Sequence, residues 1–263
     1  GSPAQQIANA HFIFNITCAI IFLVLLGPFA ALVQKLVPGE YGEIVFLPVH
    51  LTKPLPSDKN LCFGQIQEEV AHLIQKNARM MKRVFQIEKT DKREKSEIKH
   101  LHEYIHYLTG EIDEAIAIVS KADLTQEDAG KIAVLIRISD LSHQMADQIW
   151  YLCEKVHKGR KIPDLISEEF VNGFTTITTP VLENLTLLSE SFPSLPKTID
   201  ETMRINDSLL RDRVNQHYGM HIRKMADSDD ESGTVMYGIL SAIEQISVTI
   251  REIRKTVLLI KEW

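Results

Sequence analysis

Residues 12–34 form a run of 23 residues without a charged side chain, FIFNITCAIIFLVLLGPFAALVQ. As a helix rising about 1.5 Å per residue it reaches roughly 34 Å, enough to cross a hydrocarbon core about 30 Å thick. Soluble core helices of that length are seldom apolar around their whole circumference. A secretory signal would have a basic leading region and a shorter apolar stretch. The run is therefore read as a transmembrane helix. Charge sets its limits: residues 1–37 contain no acid and one base, Lys35, whereas the remainder holds 28 Lys+Arg against 35 Asp+Glu. One end suits a membrane and the other suits water, so a single soluble globule is the wrong starting description.

Asn9, His11 and Asn15 lie near one end of this segment, and Gly27-Pro28 interrupts the other. Hydrogen-bonding side chains find no partner in lipid and turn toward a bundle or an aqueous cavity. The three are candidate transport-path or helix-packing residues, with an interfacial cap at the helix entrance as the alternative. Residues 38–62 contain Pro38, Pro48, Pro54 and Pro56. A continuous helix cannot cross that density of prolines, so the stretch is read as a connector and domain boundary.

From about Gly64 onward helical periodicity dominates. Six helices are expected, over 64–88, 94–121, 125–158, 164–191, 196–226 and 229–262. Thr125, Gly159 with Pro163, Pro193 with Pro196, and the aspartates of 227–230 mark the breaks. A shift of 101 positions brings apolar residues into register at both ends of the region. Leu73 then meets Phe174 and Val84 meets Leu185. Leu135 meets Met236, Ile138 meets Ile239, Met145 meets Ile246, and Ile149 meets Ile250. Val70 with Val171, Met81 with Leu182 and Ile87 with Leu188 extend the first set; Leu152 with Ile253 and Val156 with Val257 extend the second. The expected fold is all-α: one transmembrane helix, then two tandem three-helix bundles over 63–263.

Cys18, Cys62 and Cys153 are scattered and odd in number, which argues against a disulfide framework. The acidic balance gives no support to nucleic-acid binding. The bases between Lys76 and Lys99 alternate with Glu88, Asp91, Glu94 and Glu97, and are read as a solvated helix surface, with contact to anionic lipid as the minor reading. The Gly-Ser-Pro start leads us to expect a fragment, a processed product or a tag remnant.

The spacing of His102-Glu103-Tyr104-Ile105-His106 matches HExxH, in which two histidines on one helix face hold zinc and the glutamate activates water. No third ligand is evident, and the setting is a charged helix, so a solvated face is preferred to a metallopeptidase. His217 and His221 share the i,i+4 spacing without the glutamate.

Residues 128–149, DAGKIAVLIRISDLSHQMADQI, resemble the third helix of the PhoU-like domain. SPAQQIANAHFIFN resembles the A-x-AH-x-x-FN segment before the last membrane helix of bacterial sodium/phosphate cotransporters, and residues 38–71 resemble the stretch joining that helix to a cytoplasmic PhoU-like domain. The resemblance implies the carboxy-terminal part of a sodium-dependent phosphate symporter. Residues 1–37 end its membrane domain, 38–62 connect, and 63–263 form a PhoU-like domain that regulates uptake and catalyses nothing. The alternative is a membrane-tethered scaffold controlling a separate transporter or signalling kinase. The implied location is the cell membrane, multi-pass in the full-length protein, with residues 63–263 cytoplasmic. The implied partners are the bilayer and sodium and phosphate ions bound upstream, with a homo-oligomer allowed. The paired Gln-Ser-Ser-Ser repeats of that family's transport core do not occur here. Its ExxxD metal positions read His143 and Asp147 in one half and Glu244 and Val248 in the other. His143 and Asp147 would share a face, with Glu244 arriving from the other half, but Val248 removes a bridging carboxylate. The expectation is an inherited polar patch, with neither metal nor cofactor.

Overall fold

Asp58 and Thr125 illustrate how the chain starts its helices. The Asp58 side chain accepts from the Asn60 N–H at 2.7 Å. Thr125 and Asp128 form a reciprocal capping box, with the Asp128 N–H donating to Thr125 Oγ1 at 3.1 Å and the Thr125 N–H to Asp128 Oδ2 at 2.9 Å. Each cap satisfies donors that a helix start leaves without intrahelical partners. A computed structural model describes residues 2–36, 46–86, 92–162, 168–227 and 231–259. Seven helices are described: α1 Pro3–Leu36, α2 Lys59–Phe85, α3 Lys92–Val119, α4 Gln126–Gly159, α5 Glu168–Ser191, α6 Lys197–Asp227 and α7 Glu231–Val257. No strand occurs among the described residues, so the chain is all-α there.

The chain divides into two compact units, Gly1–Val45 and Phe46–Trp263. The first contains α1, which runs through Gly27-Pro28 to Leu36 instead of stopping. Its apolar side chains are widely exposed, among them Phe12, Phe14, Phe22 and Leu23. Thr17 returns its hydroxyl to the Ile13 carbonyl at 2.8 Å, which leaves no stray donor on that turn.

Within the second unit α2, α3 and α4 pack on one another, as do α5, α6 and α7; α4 against α7 makes the broadest contact, and α2 also meets α5. The expected pairings along α4 and α7 are buried at both ends: Leu135 and Met236, Ile138 and Ile239, Met145 and Ile246, Ile149 and Ile250, Leu152 and Ile253, Val156 and Val257. A fully buried aliphatic side chain contributes roughly 1.5–3 kcal/mol relative to exposure, so this seam is a principal source of stability. The pairings of Val171 and Ile87 lie outside the described side chains.

The offset of 101 reappears as geometry. Thr249 donates to Gln148 Oε1 at 3.0 Å across the α4–α7 contact, and these two residues are 101 positions apart. The Lys155 and Tyr151 side chains fill the space where a side chain at Gly238 would begin, while Arg137 lies within electrostatic reach of Glu252. Arg137 and Gly238 are again 101 apart, as are Tyr151 and Glu252. Equivalent residues meeting themselves or exchanging partners is what a two-fold relation between repeats produces at their interface.

Two boundaries differ from expectation. The Asp58 cap starts α2 at Lys59, five residues before Gly64, and so takes Cys62 out of the connector; its thiol donates to the Pro56 carbonyl at 2.9 Å. The second unit also begins at Phe46, inside the expected connector, because residues 46–56 are bound onto α2 and α3.

Candidate functional site

α3 and α4 form a hairpin around residues 120–125, and this brings together two side-chain pairs that lie far apart in sequence. His102 and His106 stand one turn apart on α3, and His143 and Asp147 one turn apart on α4. His102 Nε2 and His106 Nε2 each lie 2.8 Å from the same oxygen, Asp147 Oδ1, and 3.1 Å from each other. His143 Nε2 is 3.9 Å from Asp147 Oδ2, and its ring centroid is 4.0 Å from that of His106. His102 stacks on Trp150 at 5.7 Å, which holds its ring plane. The donor atoms of His102, His106 and Asp147 all lie within 4.8 Å of one another.

Burial opposes ionisation of Asp147, yet the hydrogen bonds from His102 and His106 outweigh it and hold the carboxyl below its ordinary range. Its side chain remains 53% exposed, so the cluster opens to solvent. Asp113 of α3 lies within electrostatic reach of His143 and Asp140, and burial followed by the Asp140 charge pushes its carboxyl up. The arrangement can share protons among three rings and a carboxylate, or place them around one cation.

Asp147 thus stands where the HExxH pair showed no third donor in the sequence. The two pairs lie far apart in sequence, yet symmetrically about one point, between Leu124 and Thr125. Helices folding back about that cap must bring 102 toward 147 and 106 toward 143. Glu103 does not take part: it is exposed and pairs with Lys99 at 3.4 Å, away from the position of a water-activating base. Glu244 and Val248 are exposed and do not join the cluster. The side chains of His217 and His221 lie outside the described residues. On α1, Asn9, His11 and Asn15 are all exposed; His11 and Asn15 are one turn apart, with Asn9 on a different face. Cys153 is buried, and that burial pushes its thiol up to about 11, which leaves it a poor nucleophile.

The opposite face of α3 serves a second purpose. Glu69 of α2 is fully buried and accepts the backbone N–H groups of His50 at 2.6 Å and Leu51 at 3.2 Å. Tyr104 donates to the Leu47 carbonyl at 2.9 Å, and Phe46 packs on Tyr104 and Tyr107 with centroids 5.4 and 5.8 Å away. Lys53 pairs with Glu111 at 2.5 Å. These contacts latch residues 46–53 to the helical unit. Tyr104 lies two residues from both His102 and His106, roughly 200° around the helix, so α3 separates latch and cluster. The latch was partly legible: residues 42–51 are too apolar for free solution and suit either a membrane surface or the following domain, and Glu69 interrupts the apolar stripe of Ile66, Val70 and Leu73.

Part of the basic stretch is internally paired. Arg83 meets Glu97 at 3.0 Å, while Lys76 and Lys95 stand 5.4 and 5.5 Å from the rings of Tyr104 and Trp150. Among the described residues, two helices are by length and composition apolar enough to cross a membrane, Pro3–Leu23 and Ser232–Val257. The second is 61% buried inside the helical unit, as a core helix is. No protein-family model, curated protein or solved structure matches this chain.

Proposed function

We propose that this chain is the carboxy-terminal part of a sodium-dependent phosphate symporter, in which a PhoU-like helical domain regulates uptake by binding and conformational coupling. The observation that supports it best is the latch: the first described residues of the helical unit are held by the buried Glu69 carboxylate and by Tyr104. A regulatory domain needs such a fixed entry point, because slack chain cannot transmit a conformational change. The exposed apolar face of α1 is consistent with a membrane-crossing segment, and Asn9, His11 and Asn15 then face neighbouring membrane helices. The two-fold relation between the helix triplets is consistent with the tandem bundles of a PhoU-like domain. In this reading the helical unit is cytoplasmic, and sodium and phosphate bind in membrane helices upstream.

The test is sodium-dependent phosphate uptake by the full-length protein, intact, with residues 63–263 deleted, and with Glu69→Ala. Regulation predicts altered uptake or an altered response to phosphate supply in both variants. Unchanged uptake and response would remove the regulatory role. Absence of any sodium-dependent uptake by the intact protein would remove the symporter and favour a tethered scaffold.

A further inference from the structure

We propose that His102, His106, His143 and Asp147 bind one divalent transition-metal ion of the zinc class, fastening α3 to α4. The donor set selects the ion: three imidazoles and one carboxylate suit zinc, whereas calcium and magnesium need shells built from oxygen. The geometry is close to what zinc requires. Bonds of about 2.0–2.2 Å in a tetrahedron set the ligand atoms roughly 3.3–3.5 Å apart. His102 Nε2, His106 Nε2 and Asp147 Oδ1 stand 2.8, 2.8 and 3.1 Å apart, so each edge opens by a few tenths of an ångström. His143, its ring centroid 4.0 Å from that of His106 and its Nε2 3.9 Å from the other carboxylate oxygen, completes the fourth corner by a ring movement.

The supports around the ligands are also in place. All four come from two long helices, with i,i+4 spacing on each, and Trp150 holds His102 in plane. With neutral imidazoles the ion and Asp147 leave one positive charge, and the Asp113 and Asp140 carboxylates lie nearby. Four protein ligands close the coordination sphere, and Glu103 is engaged with Lys99. The ion is therefore structural or regulatory and hydrolyses nothing.

The experiment is calorimetric titration of the metal-stripped full chain, in detergent, with Zn2+, alongside the visible spectrum of the Co2+-loaded protein. One equivalent should bind, with a tetrahedral Co2+ spectrum. His106→Ala and Asp147→Ala should each weaken binding by at least about 100-fold, and His143→Ala by about 10-fold with loss of the four-coordinate spectrum. Glu103→Gln should bind as the parent does. Circular dichroism of each variant separates lost ligands from lost fold; these side chains are exposed or half-buried, and helicity should persist. Zinc binding that is absent, or unaffected by His106→Ala and Asp147→Ala in folded protein, would overturn the proposal. Binding that survives those changes but fails in Glu103→Gln would do the same.

Discussion

Between α3 and α4, three imidazoles and the Asp147 carboxylate gather at a solvent-open surface; between α6 and α7, the Arg254 guanidinium sits buried between two carboxylates. Arg254 Nε lies 3.5 Å from Asp200 Oδ1 and Nη1 lies 3.3 Å from Asp207 Oδ2, and Arg251 reaches Asp207 Oδ2 at 3.4 Å. Asn184 of α5 donates to Asp207 Oδ1 at 3.1 Å, and Asn206 donates to Asn184 Oδ1 at 3.0 Å. One half thus builds its cation into the chain and buries it between two carboxylates. The other presents ligands from two helices and leaves them reachable from solvent. Repeats of one architecture can share a hydrophobic seam while their polar centres diverge, because the seam sets the fold and the polar positions are free to change.

Removing the built-in cation should have the largest effect. Arg254→Met leaves Asp200 with Arg204 and Asp207 with Arg251, both more exposed than Arg254, and removing the central partner of such a buried group costs up to about 3–5 kcal/mol. In metal-free protein, His106→Ala should cost no more than about 1 kcal/mol, since the ring is partly exposed. Urea unfolding of both variants tests the contrast; equal losses would abolish it.

Zinc should next stabilise the parent and leave His106→Ala unmoved. At a free concentration of 100 times the Kd the gain is about 2.7 kcal/mol, read as a shift in the urea midpoint. A similar gain in both proteins would place the ion elsewhere.

A smaller effect concerns the latch. Glu69→Ala strands the His50 and Leu51 N–H groups and should cost about 2 kcal/mol, with hydrogen exchange accelerated at residues 46–53 and little changed in α4 and α7. Uniform acceleration would show the latch to be an integral part of the core.

The smallest is a pH effect at the latch. Burial, then the charges of Lys76 and His50, push His72 down to about 4, and Tyr104 on α3 faces it at 3.4 Å. The fold therefore favours neutral His72. Its contribution is complete above the ordinary value near 6.5 and is lost as pH falls from there toward 4. His72→Gln should flatten that part of the stability profile by about 1 kcal/mol, since solvent screens the half-buried ring. An unchanged slope would mean that other groups account for the acid sensitivity.

Much of the helical frame was legible in sequence, and the reasons are local. Thr125 with Asp128, Gly159, and the Pro193–Pro196 pair act within a turn or two, so the breaks they mark appear close to where they were expected. The α4–α7 seam was legible because a repeat shows itself twice. What escaped depends on contacts distant in sequence: Asp147 lies 45 residues from His102, and Glu69 lies 19 from His50. Helical periodicity says which residues share a face of one helix and nothing about which faces meet. The one clue, two i,i+4 pairs equidistant from a helix cap, becomes decisive only once the hairpin itself is assumed.

X-ray absorption at the zinc edge, on full-length chain loaded with one equivalent and dialysed, addresses the α3–α4 centre most directly. The account predicts retained zinc in a four-coordinate shell of nitrogen and oxygen at about 2.0–2.1 Å, with the outer-shell scattering of histidine rings, lost in Asp147→Ala. Zinc removed by dialysis, or a shell of sulfur or of oxygen alone, would contradict it.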